Sequence, residues 1–362
     1  MSQDRQKSQE LLRTLSELDG PSGYEVEVGR FVGEQLSDIC VVSYDNLGSV
    51  ICELKGGAER PRVMLAAHTD EVGFVVRYID DKGFVRLTPL GGWRDHVLPA
   101  QQMKILTTKG SIFGIIGVKP GHIVTEEERA KVIKKDDLYL DVGAKDKQQA
   151  TTEFGIRLGD PVVPVSACRP MANPDLLMGK AWDDRAGVAI MMETLRALSA
   201  RGHANRVYGV GTVQEEVGLR GAQTSVQTVA PDVAIVLEVA VCGDVPGIDD
   251  AVSDVKLDGG PTVYVMDGSA IPNLRLRDMA IDLCAEMGLE CQMSVLDRGG
   301  TDAGRIHLHA SGVPSLVLGI PARHIHAHSG IISLNSYRQM VELTTELVSK
   351  LDEKTVSQLR PN

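Results

Sequence analysis

The stretch Pro61–Val76, PRVMLAAHTDEVGFVV, contains an uninterrupted apolar run from Val63 to Ala67. A run that is apolar at every position predicts a strand with both faces buried, because a half-exposed strand alternates apolar and polar residues. Helices cover both faces of sheets that contain such strands. The stretch therefore predicts an α/β fold, and His68 stands where the strand is expected to end.

Segments on both sides of this stretch repeat the pattern of helices and buried strands. Apolar residues at helical spacing predict helices near the N-terminus, at Arg185–Ala200 and over the C-terminal SLNSYRQMVELTTELVSKLDEK. Strands are predicted at Arg206–Val213 and in PDVAIVLEVAV. The predicted fold is an α/β/α sandwich with a mixed sheet, formed by residues 1–70 and 165–362 as a catalytic domain.

Residues 71–164 differ from the rest of the chain in their pattern of apolar residues. Short β-like runs such as GFVRLTPL and SIFGIIGV are separated by glycines, and no long helical stripe interrupts them. The charged TEEERAKVIKKDDLY is expected to be a solvated loop or a short helix. We interpret this segment as a small β-rich domain inserted into the α/β domain.

Composition restricts the class of protein. The 362 residues carry a formal net charge of −11, which argues against nucleic acid as a partner because phosphate binding requires a basic surface. The six cysteines form no C-x-x-C motif, which favours free thiols in a reducing compartment. No signal-peptide centre and no apolar stretch of membrane-spanning length is found, so we expect a cytoplasmic protein without a membrane partner.

Polar residues recur at the ends of predicted strands or at the start of a helix, where open α/β sheets bind their ligands. They are His68, Asp183, Glu215, Glu216, Glu238 and His326. Glu238 lies inside the apolar run VAIVLEVAV, where burying a charged carboxylate is costly unless an arginine or a metal ion compensates it.

Imidazole and carboxylate donors without thiolates suit catalytic rather than structural zinc, cobalt or manganese sites. One aspartate can bridge two ions, and two ions about 3.5–4 Å apart are usual in aminopeptidases and phosphatases. Adjacent glutamates such as Glu215 and Glu216 are common on solvated surfaces. In this setting one of the pair can bind metal while the other transfers protons.

Six motifs in the same order resemble those of the glutamyl or deblocking aminopeptidases, the tetrahedral di-metal peptidases that are sometimes labelled endoglucanase-like. They are AHTDEVGF, GKAWDDRAG, VYGVGTVQEEVGLRGA, PDVAIVLEV, GGTDAG and ARHIHAHSGII. The resemblance extends over nearly the whole chain and includes GGW and GDPVVP of the insertion. It implies a metal-dependent aminopeptidase that removes N-terminal residues from short peptides.

The resemblance also implies residue roles. His68 and Glu238 would bind one metal ion, Glu216 and His326 the other, and Asp183 would bridge them. Glu215 would be the general base, and Asp70 would orient the imidazole of His68. The cofactors would be two divalent ions per subunit, zinc or cobalt in the first place and manganese as a further option.

Self-association is also implied, because the family uses a PDZ-like insertion to build dimers and tetrahedral dodecamers. Three positions depart from the family pattern: Glu238 stands where aspartate is frequent, Asp184 where asparagine is common, and His324 where an aromatic residue is usual. His324, His326 and His328 would share one face of an extended segment, and the motif register selects His326.

Some assignments stay open at the level of sequence. Asp302 in GGTD could contact the substrate's amino group or stabilise a turn. A di-metal deacylase or carboxypeptidase would use the same metal core, and a non-catalytic relative that forms a cage would also retain it. A glycosidase needs only two carboxylates, and the aromatic content of 4% offers few platforms for sugar stacking.

Overall fold

The computed structural model describes residues 3–359. The first two and last three residues of the predicted catalytic domain lie outside this range. Numbered in chain order, the helices are α1 Gln3–Glu17, α2 Val26–Leu36, α3 Glu126–Arg129, α4 Trp182–Arg201, α5 Arg220–Val229, α6 Leu274–Glu286, α7 Ala303–Ile306, α8 Leu334–Lys350 and α9 Glu353–Gln358.

Eleven strands form one mixed sheet. They are β1 Val41–Tyr44, β2 Val50–Leu54, β3 Arg62–His68, β10 Arg169–Pro170, β11 Leu176–Gly179, β12 Arg206–Thr212, β13 Val233–Val241, β14 Thr262–Met266, β15 Gln292–Val295, β16 Ser315–Arg323 and β17 Gly330–Ser333. The main order is β1-β2-β12-β3-β13-β16-β17-β11-β10, with β14 and β15 branching from β16. Strands β12, β3, β13 and β16 run parallel, so their carboxyl ends meet at one edge.

Alternate residues of the central strands enter different cores, which shows that the sheet is covered on both faces. Val63 and Leu65 of β3 pack in a core with helices α4 and α8, whereas Met64 and Ala66 pack with α5 and α7. This arrangement follows from the two-residue period of a strand. The predicted mixed α/β fold is confirmed, and its layers are those of an α/β/α sandwich.

The inserted segment forms a closed barrel of six strands in the order β4-β5-β8-β7-β6-β9. The strands are β4 Gly73–Ile79, β5 Val85–Leu90, β6 Gln102–Thr107, β7 Gly110–Gly117, β8 Tyr139–Asp141 and β9 Pro161–Pro164. Its core is separate from the two cores of the sandwich and includes Phe74 stacked on Trp93. The charged stretch, expected to be a solvated loop or a short helix, contains α3 and a short 3₁₀ turn and ends at the first residue of β8.

Two further expectations concern cysteines and membranes. All six cysteines are free thiols, five of them buried, as expected for a chain with two large apolar cores. Within residues 3–359, no helix combines the length and the apolar character that crossing a membrane requires.

Candidate metal centre

The carboxyl edge of the parallel strands brings together the polar residues that the sequence places at strand ends. His68 is the last residue of β3, and Glu238 lies in the second half of β13. Glu215 and Glu216 follow the end of β12, and His326 follows β16. Because these strands are parallel neighbours, their side chains converge on one site.

Asp183 lies at the centre of this site. It sits in the first turn of α4, where its φ/ψ angles are not helical. Its Oδ1 atom is 2.9 Å from Nε2 of His68, and its Oδ2 atom is 3.1 Å from Nε2 of His326. Burial raises the pKa of Asp183, but the two imidazoles outweigh burial and hold the pKa below its usual range. The two carboxylate oxygens therefore face two different imidazoles.

Two groups of three donors share Asp183. In each group the potential ligand atoms lie within 4.8 Å of one another. The groups are His68, Asp183 and Glu238, and Asp183, Glu216 and His326.

These residues fit divalent cations for three reasons. Imidazoles and carboxylates are suitable ligands for zinc, cobalt or manganese. Oε1 of Glu216 is buried and accepts no hydrogen bond from the described residues. Within residues 3–359, no lysine or arginine nitrogen lies within 4.0 Å of a carboxylate oxygen of Asp183, Glu216 or Glu238. An arginine partner that would compensate the buried charge of Glu238 is therefore not supported.

Backbone carbonyls orient both imidazoles. Nδ1 of His68 donates to the carbonyl oxygen of Asp70 at 3.1 Å. Nδ1 of His326 donates to the carbonyl oxygen of Gly92 at 2.8 Å. Each bond leaves Nε2 directed at Asp183 as a potential ligand atom. The carboxylate of Asp70 is 3.5 Å from Nδ1 of His68, and it accepts shorter hydrogen bonds from the backbone N–H groups of Glu215 and Glu216.

The two adjacent glutamates both reach the site because β12 has already ended at Thr212. Gln214 has a left-handed φ of 56°, which removes the alternation of side chains that a regular strand would impose. Oε2 of Glu215 is 3.9 Å from Nε2 of His68, and Glu215 belongs to neither donor group. Burial raises the pKa of Glu215 well above its usual value.

The segment with three alternating histidines is not extended. His324 and His326 have φ angles of 60° and 52°, so the predicted common face does not form. Only His326 of the three joins a donor group in the described chain. Nε2 of His328 lies 2.6 Å from the carbonyl oxygen of Gln102. Backbone conformation thus separates residues that the sequence pattern leaves equivalent.

Other predicted residues take structural positions. The oxygens of Asp184 accept from the backbone N–H groups of His68 and Gly187, and burial raises its pKa well above the usual value. Asp302 is 1% exposed and accepts from the Thr212 hydroxyl, which favours the structural alternative over a substrate contact.

Sequence reasoning missed two contributors to the site, Glu25 and the carbonyl of Gly92. Glu25 accepts a hydrogen bond from the backbone of Gln214, and Gly92 contacts His326 as described above. The motifs PSGYE and GGW contain them. Neither motif shows a pattern that would distinguish a site residue from a turn residue.

A cavity of about 710 Å³ opens beside the metal centre. Its lining includes Asp183, Glu215, Glu216, Glu238 and His326, together with the apolar side chains of Leu219, Val239, Val241, Leu296 and Ile325. A volume of this order is typical of sites for small ligands. A peptide end that entered the cavity would meet the metal centre.

Comparison with known proteins identifies the family. The model of the M42 glutamyl aminopeptidases matches residues 48–343. The chain belongs to this family. A lysyl aminopeptidase of Pyrococcus furiosus is 33% identical to this M42 chain over 351 residues, which cover 94% of this chain and 97% of the relative. The family membership confirms the predicted activity, a metal-dependent aminopeptidase.

Solved structures agree with this assignment. The TET aminopeptidase of a marine-sediment Thaumarchaeota archaeon has a TM-score of 0.96 and 44% identity to this M42 aminopeptidase, covering 99% of this chain and 100% of that one. The TET1 peptidase of Pyrococcus horikoshii, described as assembling into a tetrahedron or a large octahedral shell, has a TM-score of 0.86 and 29% identity, covering 95% and 100%.

Proposed function

We propose that this M42 aminopeptidase holds two divalent cations that share Asp183. His68 and Glu238 complete one site, and Glu216 and His326 complete the other. The observation that carries the proposal is the placement of the two Asp183 oxygens, 2.9 and 3.1 Å from two different imidazoles. Zinc and cobalt suit these donors best, and manganese is also compatible with them.

Two cations held by these residues would polarise the scissile carbonyl as Lewis acids and would lower the pKa of the attacking water. Glu215 takes the proton of that water and later delivers it to the leaving amine. Its position supports this role, since it faces the cavity but belongs to neither donor group.

The substrates we propose are short peptides with a free N-terminus. The cavity combines the polar metal centre with an apolar wall, which can accept the N-terminal residue and its neighbours. Arg298 lines the same cavity and is exposed, and no described residue forms an ion pair with it. Apolar contacts with the cavity wall supply affinity for the peptide, and the bond that is hydrolysed is the peptide bond next to the free N-terminal amine.

Metal analysis tests the two-ion proposal. Protein stripped of metal and reloaded with zinc, cobalt or manganese should bind two ions per chain and regain hydrolysis of aminoacyl anilides. His68→Ala and His326→Ala should each lose one ion, and Asp183→Asn should weaken both. A stoichiometry near one in the metal-replete parent protein would contradict the two-ion centre. Anilide hydrolysis that stays absent after full reloading would favour the non-catalytic alternative.

We also propose that residues 71–164 act as a PDZ-like interface domain for dimers and tetrahedral dodecamers. The barrel presents large apolar side chains to solvent, among them Phe113, Ile115 and Ile123, which are 63%, 45% and 69% exposed. Phe113 and Ile115 lie two residues apart on β7 and therefore share one face of that strand. Exposed apolar patches are typical of interaction sites. A closed assembly would restrict access to short peptides.

Sedimentation of the metal-replete protein tests the assembly. A particle on the order of twelve chains is expected, because a closed point group needs repeated self-complementary surfaces. Phe113→Asp should shift the distribution to smaller species, whereas Tyr44→Asp, at an exposed aromatic residue of the sandwich, should not. A single species at the chain mass of 39.0 kDa would rule out the assembly and leave the chemistry untouched.

A further inference from the structure

Three consecutive backbone N–H groups in front of the metal centre donate to buried carboxylates. Gln214 donates to Oε1 of Glu25 at 2.9 Å. Glu215 and Glu216 donate to Oδ1 and Oδ2 of Asp70 at 2.9 and 3.1 Å. The two carboxylates together fix the segment that carries the proposed base and one proposed ligand.

The hydrogen bond from Gln214 to Glu25 is made at a residue whose backbone conformation is unfavourable. Gln214 has a φ of 56°, a left-handed conformation that non-glycine residues rarely adopt. Such a conformation persists only where the surroundings enforce it. Strand β12 has ended at Thr212, so its ladder no longer supports the next residues. Glu25 therefore supplies a hydrogen-bond partner at the residue that aims Glu215 into the site.

Glu25 is itself held in place. It is 5% exposed at the start of α2, and its Oε1 atom also accepts from the backbone N–H of Gly23 at 2.7 Å. In the same turn, the Ser22 hydroxyl donates to Oδ2 of Asp70 at 2.6 Å. One short segment of the chain thus contacts both carboxylates that hold the glutamate pair.

We propose that Glu25 is a positioning residue for the hydrolysis, acting through the backbone of Gln214 on the orientation of Glu215. This inference rests on the proposed role of Glu215 as the base. In the described chain Glu25 makes no hydrogen bond or ion pair to a member of the two donor groups, and the backbone of Glu216 stays held by Asp70, so removal of Glu25 should leave metal binding intact. Its effect should therefore be on turnover.

The first experiment compares two substitutions of one residue. Glu25→Ala removes the acceptor and should lower kcat by about 10–100-fold with KM within about twofold, because small misplacements of a reacting group cost this much. Glu25→Gln keeps an oxygen acceptor and should recover most of the lost kcat. Burial followed by the Asp70 charge raises the pKa of Glu25 to about 7, so a neutral side chain of the same shape suits the site.

A matched control uses Glu193, a partly buried carboxylate of α4 that accepts from the Ser8 hydroxyl. Burial also raises the pKa of Glu193. Glu193→Ala should lower the thermal midpoint but leave kcat unchanged. Equal kcat losses in Glu25→Ala and Glu25→Gln, or a Glu25→Ala enzyme with parental kcat, would overturn the proposal. Metal content is measured for every variant, and loss of metal in folded Glu25→Ala would also overturn it.

A double variant separates this inference from the proposed function. If Glu25 acts through Glu215, adding Glu25→Ala to Glu215→Gln should cause no further loss of kcat. An additive loss would contradict the inference alone, whereas parental activity of Glu215→Gln would contradict the base assignment. Should Glu25→Ala not fold, Glu25→Asp supplies the test: its shorter carboxylate should lower kcat in the same range, and unchanged kcat would overturn the proposal.

Discussion

The α/β sandwich and the β barrel contribute to the metal centre in different ways. The sandwich supplies both imidazoles and all the carboxylates of the donor groups from the edge of its sheet. The barrel segment supplies main-chain carbonyls, from Gly92 to His326 and from Gln102 to His328. The sandwich carries the chemical groups and orients His68 through the Asp70 carbonyl, whereas the barrel segment orients His326 through the Gly92 carbonyl.

This difference has a consequence for substitutions. Changes to site residues of the sandwich remove proposed reacting groups. Changes in the barrel segment act on how the His326 imidazole is oriented or on the junction between the two regions. At that junction Lys180 pairs with Glu71 and Asp19, and Lys104 of the barrel also pairs with Asp19. The two regions should therefore differ in how strongly and in what way they affect the enzyme.

The largest effect is expected for Glu215, the proposed base in the sandwich. Glu215→Gln should lower kcat by about 10²–10⁴-fold, because the amide cannot accept the proton of the attacking water. Both metal ions should remain bound, as measured by elemental analysis, since Glu215 belongs to neither donor group. If Glu215→Gln loses metal while Glu216→Gln keeps it, the roles of the two glutamates are reversed.

A large loss of stability is expected at the junction. Lys180 is 2% exposed and lies 2.6 Å from Oε1 of the equally buried Glu71. Lys180→Ala should lower the free energy of unfolding by about 1–3 kcal/mol, because the buried Glu71 carboxylate loses its closest cation and keeps only Arg185 at 3.8 Å. Lys350→Ala, which removes an exposed pair with Glu286, should cost less than about 1 kcal/mol. Urea denaturation measures both, and equal values would contradict the buried-pair argument.

A smaller and more selective effect is expected at Gly92 of the barrel segment. A Cβ atom there would lie 3.0 Å from Nδ1 of His326, which forces the imidazole to move. Gly92→Ala should weaken one of the two metal sites by about 10–100-fold, the usual range for residues that orient a ligand. Gly121→Ala, in the barrel segment with no neighbour within 4 Å, is the control. Titration with zinc that shows both sites weakened equally would contradict the assignment of His326 to one site.

The smallest effect is expected for the barrel side of the junction. Lys104→Ala removes an ion pair of 2.7 Å with Asp19, but Lys180 still compensates that carboxylate at 3.0 Å. The free energy of unfolding should fall by about 1 kcal/mol or less, with kcat within about twofold of the parent. A kcat loss comparable to that of Glu25→Ala would show that the ion pair itself positions the barrel over the site.

Much of the fold follows from local pattern. The apolar run Val63–Ala67 predicts β3, which the structure extends to Arg62–His68. The helix predicted at Arg185–Ala200 is α4, which begins earlier at Trp182. The earlier start includes Asp183 and Asp184 with non-helical φ/ψ angles. Helical periodicity cannot reveal these two residues, because tertiary contacts and not propensity determine their conformation.

The residue types of the metal centre and their order along the chain were determined by the sequence alone, because a polar residue at the end of an apolar strand is a local signal. Tertiary structure decided which of His324, His326 and His328 reaches Asp183. It also brought Glu25 to Gln214 and Gly92 to His326, through hydrogen bonds that span 189 and 234 residues of sequence. These contacts use backbone N–H and carbonyl groups, which every residue carries, so only the folded chain specifies their partners.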